Sequence, residues 1–259
     1  MNFGTPLSAD PLCDQVDPCT LDGVVAILPA MAEQTNFQSA PDRLEDLSPQ
    51  LASALTSAIV SDSLDSLGFR SQVMLPEIVP FAMGSRAVGR ARTIQFAPTE
   101  TDPEDPYDAA MRFIDGLGDG SVAIIATGAD ARTGYWGELF SAAAKGHGAV
   151  GAICDGPVRD VAKIRALGFD VFAAGSRPVD FRGRMRVVAA DEMVRCGGVL
   201  VTPGDLVVAD DDGVVVVPAA VEAEVLVRSV ARATAERSVL AELLDGASLR
   251  QVWERWRVL

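Results

Sequence analysis

Glu138, Arg159 and Asp160 have the residue types and spacing to do chemistry together. They form an acid, twenty intervening residues and an Arg-Asp pair, within the stretch from Gly137 to Arg184. A carboxylate is a hard oxygen donor for a divalent cation, and a guanidinium recognises anionic oxygen. These are the parts needed to hold a divalent metal and an anionic oxo-acid.

Such groups need elements that aim them. In the run DGPVRD, Asp155 is placed to act as an N-cap and Pro157 sits where a helix begins. Asp160 then falls in the first turn, where the helix dipole favours a carboxylate. An ordinary capped helix accounts for Asp155, Gly156 and Pro157. It does not call for Arg159 at the positive helix end, so Arg159 is expected to face an anionic partner. In TGYWGEL the glycines lead into a second helix start, whose backbone N–H groups are offered to a carboxylate beside Glu138. Two helix N-termini that follow adjacent strands can point at one crevice.

The surrounding chain alternates the two periodicities. An amphipathic stretch over 48–68 is followed by a strand over 85–97, a helix over 107–117 and a strand over 121–127. A helix over 137–145, a strand over 149–155, a helix over 157–168 and a strand over 171–175 come next. This order implies parallel pairing with right-handed crossovers. After Gly183 come short strands over 184–190, 198–201, 205–210 and 213–218, separated by glycine-containing turns that suggest a β layer against the α/β part. Residues 219–244 read as one long helix. Trp253 and Trp256 in the amphipathic tail read as packing residues. The expected organisation is an N-terminal extension or arm over 1–45, a catalytic domain over 46–245 and a C-terminal tail over 246–259.

Composition limits the chemistry further. With 36 acidic against 22 basic residues the net charge is −14, which disfavours nucleic acid and anionic membrane surfaces as partners. An anionic substrate therefore needs a local positive patch, for which Arg159, a metal and helix N-termini are the candidates. The longest apolar runs are far shorter than a membrane span of ~20 residues. The first residues lack a basic stretch followed by an apolar one, so the cytoplasm is the expected compartment. Cys13, Cys19, Cys154 and Cys196 form no C-x-x-C pair and are expected to be reduced thiols, mostly buried. His147 is the single histidine, which excludes a multi-histidine zinc site within one chain, and it reads as a helix C-terminal residue. The two lysines, Lys145 and Lys163, lie on expected helices, which disfavours Schiff-base chemistry. Gly116, Gly118 and Gly120 follow a helix and precede a strand, the reverse of a dinucleotide loop, and read as a turn.

The acid-x20-Arg-Asp spacing, with GEL, DGPVRD, GFDVFAAGSRPVDFRGR and VTPGDLVVADDDGVVVVP, resembles the RraA-like family. That group contains the class II 4-hydroxy-4-methyl-2-oxoglutarate/4-carboxy-4-hydroxy-2-oxoadipate aldolases. The resemblance covers about residues 46–245. It implies an α/β fold, a three-layer β/β/α swivelling-domain type with an N-terminal arm and a long C-terminal helix. It also implies homotrimers, or hexamers of paired trimers, with active sites between subunits. Carried across, Asp160 would ligate Mg²⁺ or Mn²⁺ with waters filling most other positions. Arg159 would contact the C2 oxygen and carboxylate of a small anionic 2-oxo acid, and the amides of Gly137, Glu138, Leu139 and Phe140 would hold that carboxylate. Glu138 would order metal waters or relay a proton, and Glu236 of a neighbouring subunit is the candidate acid near those waters.

The implied activity is that of a metal-dependent carbon–carbon lyase. Cleavage of the C3–C4 bond of a 2-oxo acid would release a pyruvate enolate, its charge stabilised by the metal and Arg159. Oxaloacetate decarboxylation needs no base and is the least demanding form. The sequence departs from the aldolase pattern at Lys163, where an acid is common, and at Glu138, where Asp is common. Lys163 would pair with Asp160, weaken the metal site or face solvent. Two other classes stay open: a non-enzymatic regulator that binds a partner protein, as other RraA proteins do, and a different lyase or hydratase reaction.

Overall fold

Every residue of the segment Ser121–Ala126 is buried. A strand sends alternate side chains to opposite faces, so this one needs a packing layer on each side. The computed structural model, which describes residues 41–101 and 104–258, supplies both layers. Its first elements are α1 Pro49–Ala54, α2 Ser57–Ser66, β1 Val79–Pro80, β2 Ala87–Pro98, α3 Asp108–Asp115, β3 Ser121–Ala126, α4 Glu138–Gly146 and β4 Gly151–Cys154. They continue as α5 Val161–Leu167, β5 Val171–Ala173, β6 Met185–Ala190, β7 Val194–Cys196 and β8 Val199–Val201. The last are β9 Leu206–Asp210, β10 Gly213–Val217, α6 Glu222–Leu244 and α7 Leu249–Trp256.

The main sheet runs in the order β1-β5-β4-β3-β2-β9-β10, with β6 also on β2. β2, β3, β4 and β5 pair in parallel, as expected from the helix–strand alternation. The twelve residues of β2 are long enough to serve two partners on one side: Ala87–Arg90 pairs with β9, and Ile94–Pro98 with β6. That sharing curls the sheet until it is nearly closed.

Two cores result. On one face Ile94, Ala123, Ile125, Ala152 and Cys154 pack against Phe113 and Ile114 of α3, Ala144 of α4 and Ile164 of α5. On the other, Val122, Ile124, Ile153 and Phe172 meet the β7–β8 hairpin through Val194, Cys196, Val199 and Val201, together with Val207 and Val214. The architecture is thus the expected β/β/α three-layer fold. Each fully buried Ile or Val removes enough apolar surface from water to contribute roughly 1.5–3 kcal/mol.

The amphipathic stretch over 48–68 forms two helices. Thr56 interrupts it as an N-cap, its Oγ1 accepting from the Ile59 N–H at 3.2 Å. Ser57 fastens the start of α2 to the sheet, donating from N and Oγ to the Asp210 carboxylate at 2.7 and 2.5 Å. The short strands β1 and β7 lie outside the expected strand list, because two or three residues carry no legible alternation. Gly116, Gly118 and Gly120 form the expected turn between α3 and β3, and His147 is the C-terminal cap of α4. Cys154 and Cys196 are buried free thiols, while Cys13, Cys19 and residues 1–40 lie outside the described residues. By internal contacts the chain divides at 237/238. In the smaller unit Glu242 accepts from Arg255 at 2.8 Å and from the Trp256 indole N–H at 3.0 Å, and the Arg257 guanidinium lies over the Trp253 ring. Among the described residues no helix is long and apolar enough to cross a membrane.

Candidate active site

The chain leaves β3, β4 and β5 at the same end of the parallel sheet, the usual place for a ligand crevice in an α/β fold. The three loops are zipped together by backbone. The Tyr135 N–H donates to Pro157 O at 2.9 Å, Arg159 N–H to Trp136 O at 2.8 Å, and Gly134 N–H to Val179 O at 2.7 Å. Val158 N–H donates to Gly175 O at 3.0 Å, and Arg177 N–H to Val158 O at 2.8 Å.

This pairing overturns the expected helix start. A helix starting at Pro157 would need the carbonyls of Pro157 and Val158 as its first acceptors, but these are taken by the Tyr135 and Arg177 amides, so α5 begins at Val161 instead of Pro157. Asp155 does not cap it. Its carboxylate is buried and accepts from Thr127 N and Oγ1 at 2.6 and 2.8 Å and from Gly197 N at 3.3 Å. The cap position is held by Asp160, with φ 58° and ψ 31° in the left-handed region. A non-glycine residue there costs on the order of 1 kcal/mol, and such strain concentrates at functional sites.

The strained turn brings the expected residues together. Tyr107, Met111, Gly134, Trp136, Gly137, Glu138, Leu139, Phe140, Arg159, Asp160, Lys163 and Phe181 line one cleft of about 620 Å³. Gly137 precedes α4 without any side-chain cap. The amides of Glu138, Leu139 and Phe140 therefore have no acceptor within the helix. A Cβ on Gly137 would lie 3.0 Å from Asp160 Oδ2 and 3.2 Å from Arg159 Cγ, so glycine is what lets the helix start approach the Arg-Asp pair. Trp136 steadies that start: its indole N–H donates to Ser141 Oγ at 2.8 Å, and Phe140 packs edge-on to it.

Arg159 has the anionic partner that its position called for, but the partner is protein. Its Nη1 donates to Asp180 Oδ2 at 2.9 Å, and the Tyr107 hydroxyl donates to the same oxygen at 2.9 Å. Burial alone would raise the Asp180 pKa, but the Arg182 N–H, the Tyr107 hydroxyl and the Arg159 guanidinium outweigh it and hold it below the usual carboxylate range. Burial and the bond to Asp180 push the Tyr107 phenol upward, so it remains a donor at neutral pH. Asp180 lies 21 residues from Arg159, and sequence reading missed it together with Tyr107. The one sequence signal was the unexplained arginine itself.

Asp160 keeps its carboxylate open. Its nearest ionic neighbour is Arg159 Nε at 3.8 Å, and the side chain is 40% exposed. Lys163 does not pair with Asp160: its side chain is mostly exposed to solvent, as one expectation had it, and its Nζ reaches Glu138 Oε2 at 2.8 Å, which raises the lysine pKa. Among the described residues no group of three or more His, Cys, Asp or Glu could hold a metal. A single accessible carboxylate fits a hard divalent cation that keeps most of its waters, so Asp160 could hold such an ion. Glu236 does not line the cleft of its own chain and is ion-paired to Arg232 at 3.0 Å.

Residues 57–216 match the family model described as RraA-like, Aldolase/RraA. The chain belongs to the RraA-like family. Over 215 residues it is 32% identical to protein DlpA of Legionella pneumophila, covering 82% of this chain and 34% of DlpA. This RraA-like chain thus spans about a third of that relative's length. It is 30% identical to a Halalkalibacterium halodurans protein named as a candidate 4-hydroxy-4-methyl-2-oxoglutarate aldolase, covering 64% of this chain and 74% of that one. Among solved structures, Streptomyces coelicolor RraAS2, described as an unusual member of the RNase ES inhibitor RraA family, superposes with a TM-score of 0.68. It shares 30% identity, covering 75% of this chain and 98% of that one.

Proposed function

We propose that this RraA-like chain is a divalent-metal-dependent carbon–carbon lyase that releases pyruvate enolate from a 2-oxo acid. The observation that carries the reading is the convergence of Glu138, Arg159 and Asp160 on one cleft beside the uncapped start of α4. In this reading the amides of Glu138, Leu139 and Phe140 hold the substrate carboxylate, helped by the helix dipole. The Arg159 guanidinium, steadied by Asp180, faces the C2 oxygen and stabilises the charge that gathers there as the C3–C4 bond breaks. Glu138 accepts the hydroxyl proton of a 4-hydroxy substrate; oxaloacetate loses CO₂ and needs no such base. Mg²⁺ or Mn²⁺ held by Asp160 would supply Lewis-acid polarisation of the 2-oxo group.

Purified protein with Mg²⁺ or Mn²⁺ should release pyruvate from oxaloacetate and from 4-hydroxy-4-methyl-2-oxoglutarate, and lose that activity with chelator or as Asp160→Ala. No turnover above metal alone would sink the lyase reading and favour a partner-binding role of the kind named for RraAS2.

A further inference from the structure

One ion pair in the cleft ties two helix starts together. Lys163 Nζ on α5 donates to Glu138 Oε2 on α4 at 2.8 Å, and both residues line the cleft that holds Arg159 and Asp160. The strained turn sets the lysine in place. Its N–H donates to Asp160 O at 2.9 Å, so the backbone that presents Asp160 also fixes where Lys163 starts.

The fold has little use for this pair. The Lys163 side chain is 64% exposed and that of Glu138 32%, and an ion pair open to water adds little stability. Neither helix calls for it either. A carboxylate in the first turn of α4 is already favoured by the helix dipole, and a cation in the first turn of α5 is disfavoured. What the bond changes is the freedom of the Glu138 carboxylate. A glutamate left alone at a surface spreads over many rotamers, and holding one oxygen removes most of them. Among the described residues, Lys163 is the one hydrogen-bond donor to the Glu138 side chain.

That freedom matters to one of the two reactions proposed above and not to the other. Cleavage of a 4-hydroxy-2-oxo acid needs a base within hydrogen-bond reach of the C4 hydroxyl. Oxaloacetate loses CO₂ with no hydroxyl proton to remove.

Resting on the lyase reading, we infer that Lys163 is a positioning residue for Glu138, holding its carboxylate where it takes the C4 hydroxyl proton. In the step it serves, that proton passes to Glu138 as the electron pair of the C3–C4 bond moves into the pyruvate enolate. C4 becomes a carbonyl carbon, and the proton removed is balanced by the one later added at C3. No oxidant or reductant is involved, and Lys163 takes no part in the bonds that change.

The test measures kcat and KM for pyruvate release from 4-hydroxy-4-methyl-2-oxoglutarate and from oxaloacetate with Mg²⁺, in the native chain, Lys163→Met and Lys163→Arg. Methionine keeps an unbranched, helix-compatible side chain and removes the donor. The ratio of the two kcat values, hydroxy acid to oxaloacetate, is expected to fall at least fivefold in Lys163→Met, with the hydroxy-acid KM changed less than its kcat. Arginine keeps a cationic donor and should bring the ratio back to within twofold of native. In a Glu138→Asp background, one methylene shorter, Lys163→Met should move the ratio less than twofold.

A merely structural role would lower both reactions together and leave the ratio alone. An unchanged ratio, a fall that arginine does not recover, or an equal fall in the Glu138→Asp background each overturns the inference while the lyase reading stands. Pyruvate from neither compound with the native chain sinks both.

Discussion

Two clefts of nearly equal size open at the same end of the parallel strands, and Asp155 and Asp160, five residues apart, each line one of them. The cleft beside the β7–β8 hairpin, about 600 Å³, holds Asp155, and the cleft beside α4, about 620 Å³, holds Asp160. Asp155 is buried and its oxygens are taken by Thr127 and Gly197. Asp160 is half-exposed, and its nearest ionic neighbour is an arginine nitrogen 3.8 Å away. Residue type and cleft volume therefore do not tell the two clefts apart. A carboxylate whose lone pairs are spent on backbone donors fastens loops together; one held in a strained turn with its oxygens open is available to a ligand.

The widest gap between the two should come from alanine substitutions. Asp160→Ala is expected to lower metal-dependent pyruvate release by about 10³-fold, while urea unfolding shifts by less than about 1 kcal/mol. Asp155→Ala should do the reverse, costing roughly 2–4 kcal/mol in urea unfolding because it strands three buried donors. Equal effects of the two on stability would erase the distinction.

Gly137→Ala tests whether the proposed activity of the Asp160 cleft depends on close approach. The backbone at Gly137 is extended, so alanine is tolerated there, but its Cβ would press on Asp160 and Arg159. A loss of about 30-fold in kcat/KM with an unchanged melting temperature is expected. Asp180→Asn releases one hold on Arg159. About a tenfold fall in kcat/KM is expected, partly rescued in Asp180→Glu, with Tyr107→Phe smaller still.

The smallest effect is in pH. Asp180 is held below the ordinary carboxylate range, so its ionised form stabilises the folded chain. That contribution is complete above the unfolded value of roughly 4 and is lost as pH falls through the depressed folded value. Thermal melting of the native chain and Asp180→Asn should differ most near neutral pH and converge as the solution becomes strongly acid.

The strand–helix alternation from β2 to β5 was legible because periodicities of two and 3.6 residues are local properties. The Gly116–Gly120 turn and the position of His147 were legible for the same reason. The start of α5 was misread. DGPVRD satisfies every local rule for a capped helix, yet the carbonyls of Pro157 and Val158 are claimed by amides of the loops after β3 and β5, a tertiary competition that no window of sequence contains.

By itself the sequence determined the layered architecture and the three residues that meet in the cleft, since apolar periodicity and motif spacing are written along the chain. Tertiary structure alone decided that Asp160 would stand in a left-handed turn, that Asp180 and Tyr107 would hold Arg159, and that Lys163 would turn to Glu138. Each of those depends on where loops from different strands come to rest, and that is set by the packing of whole layers against one another.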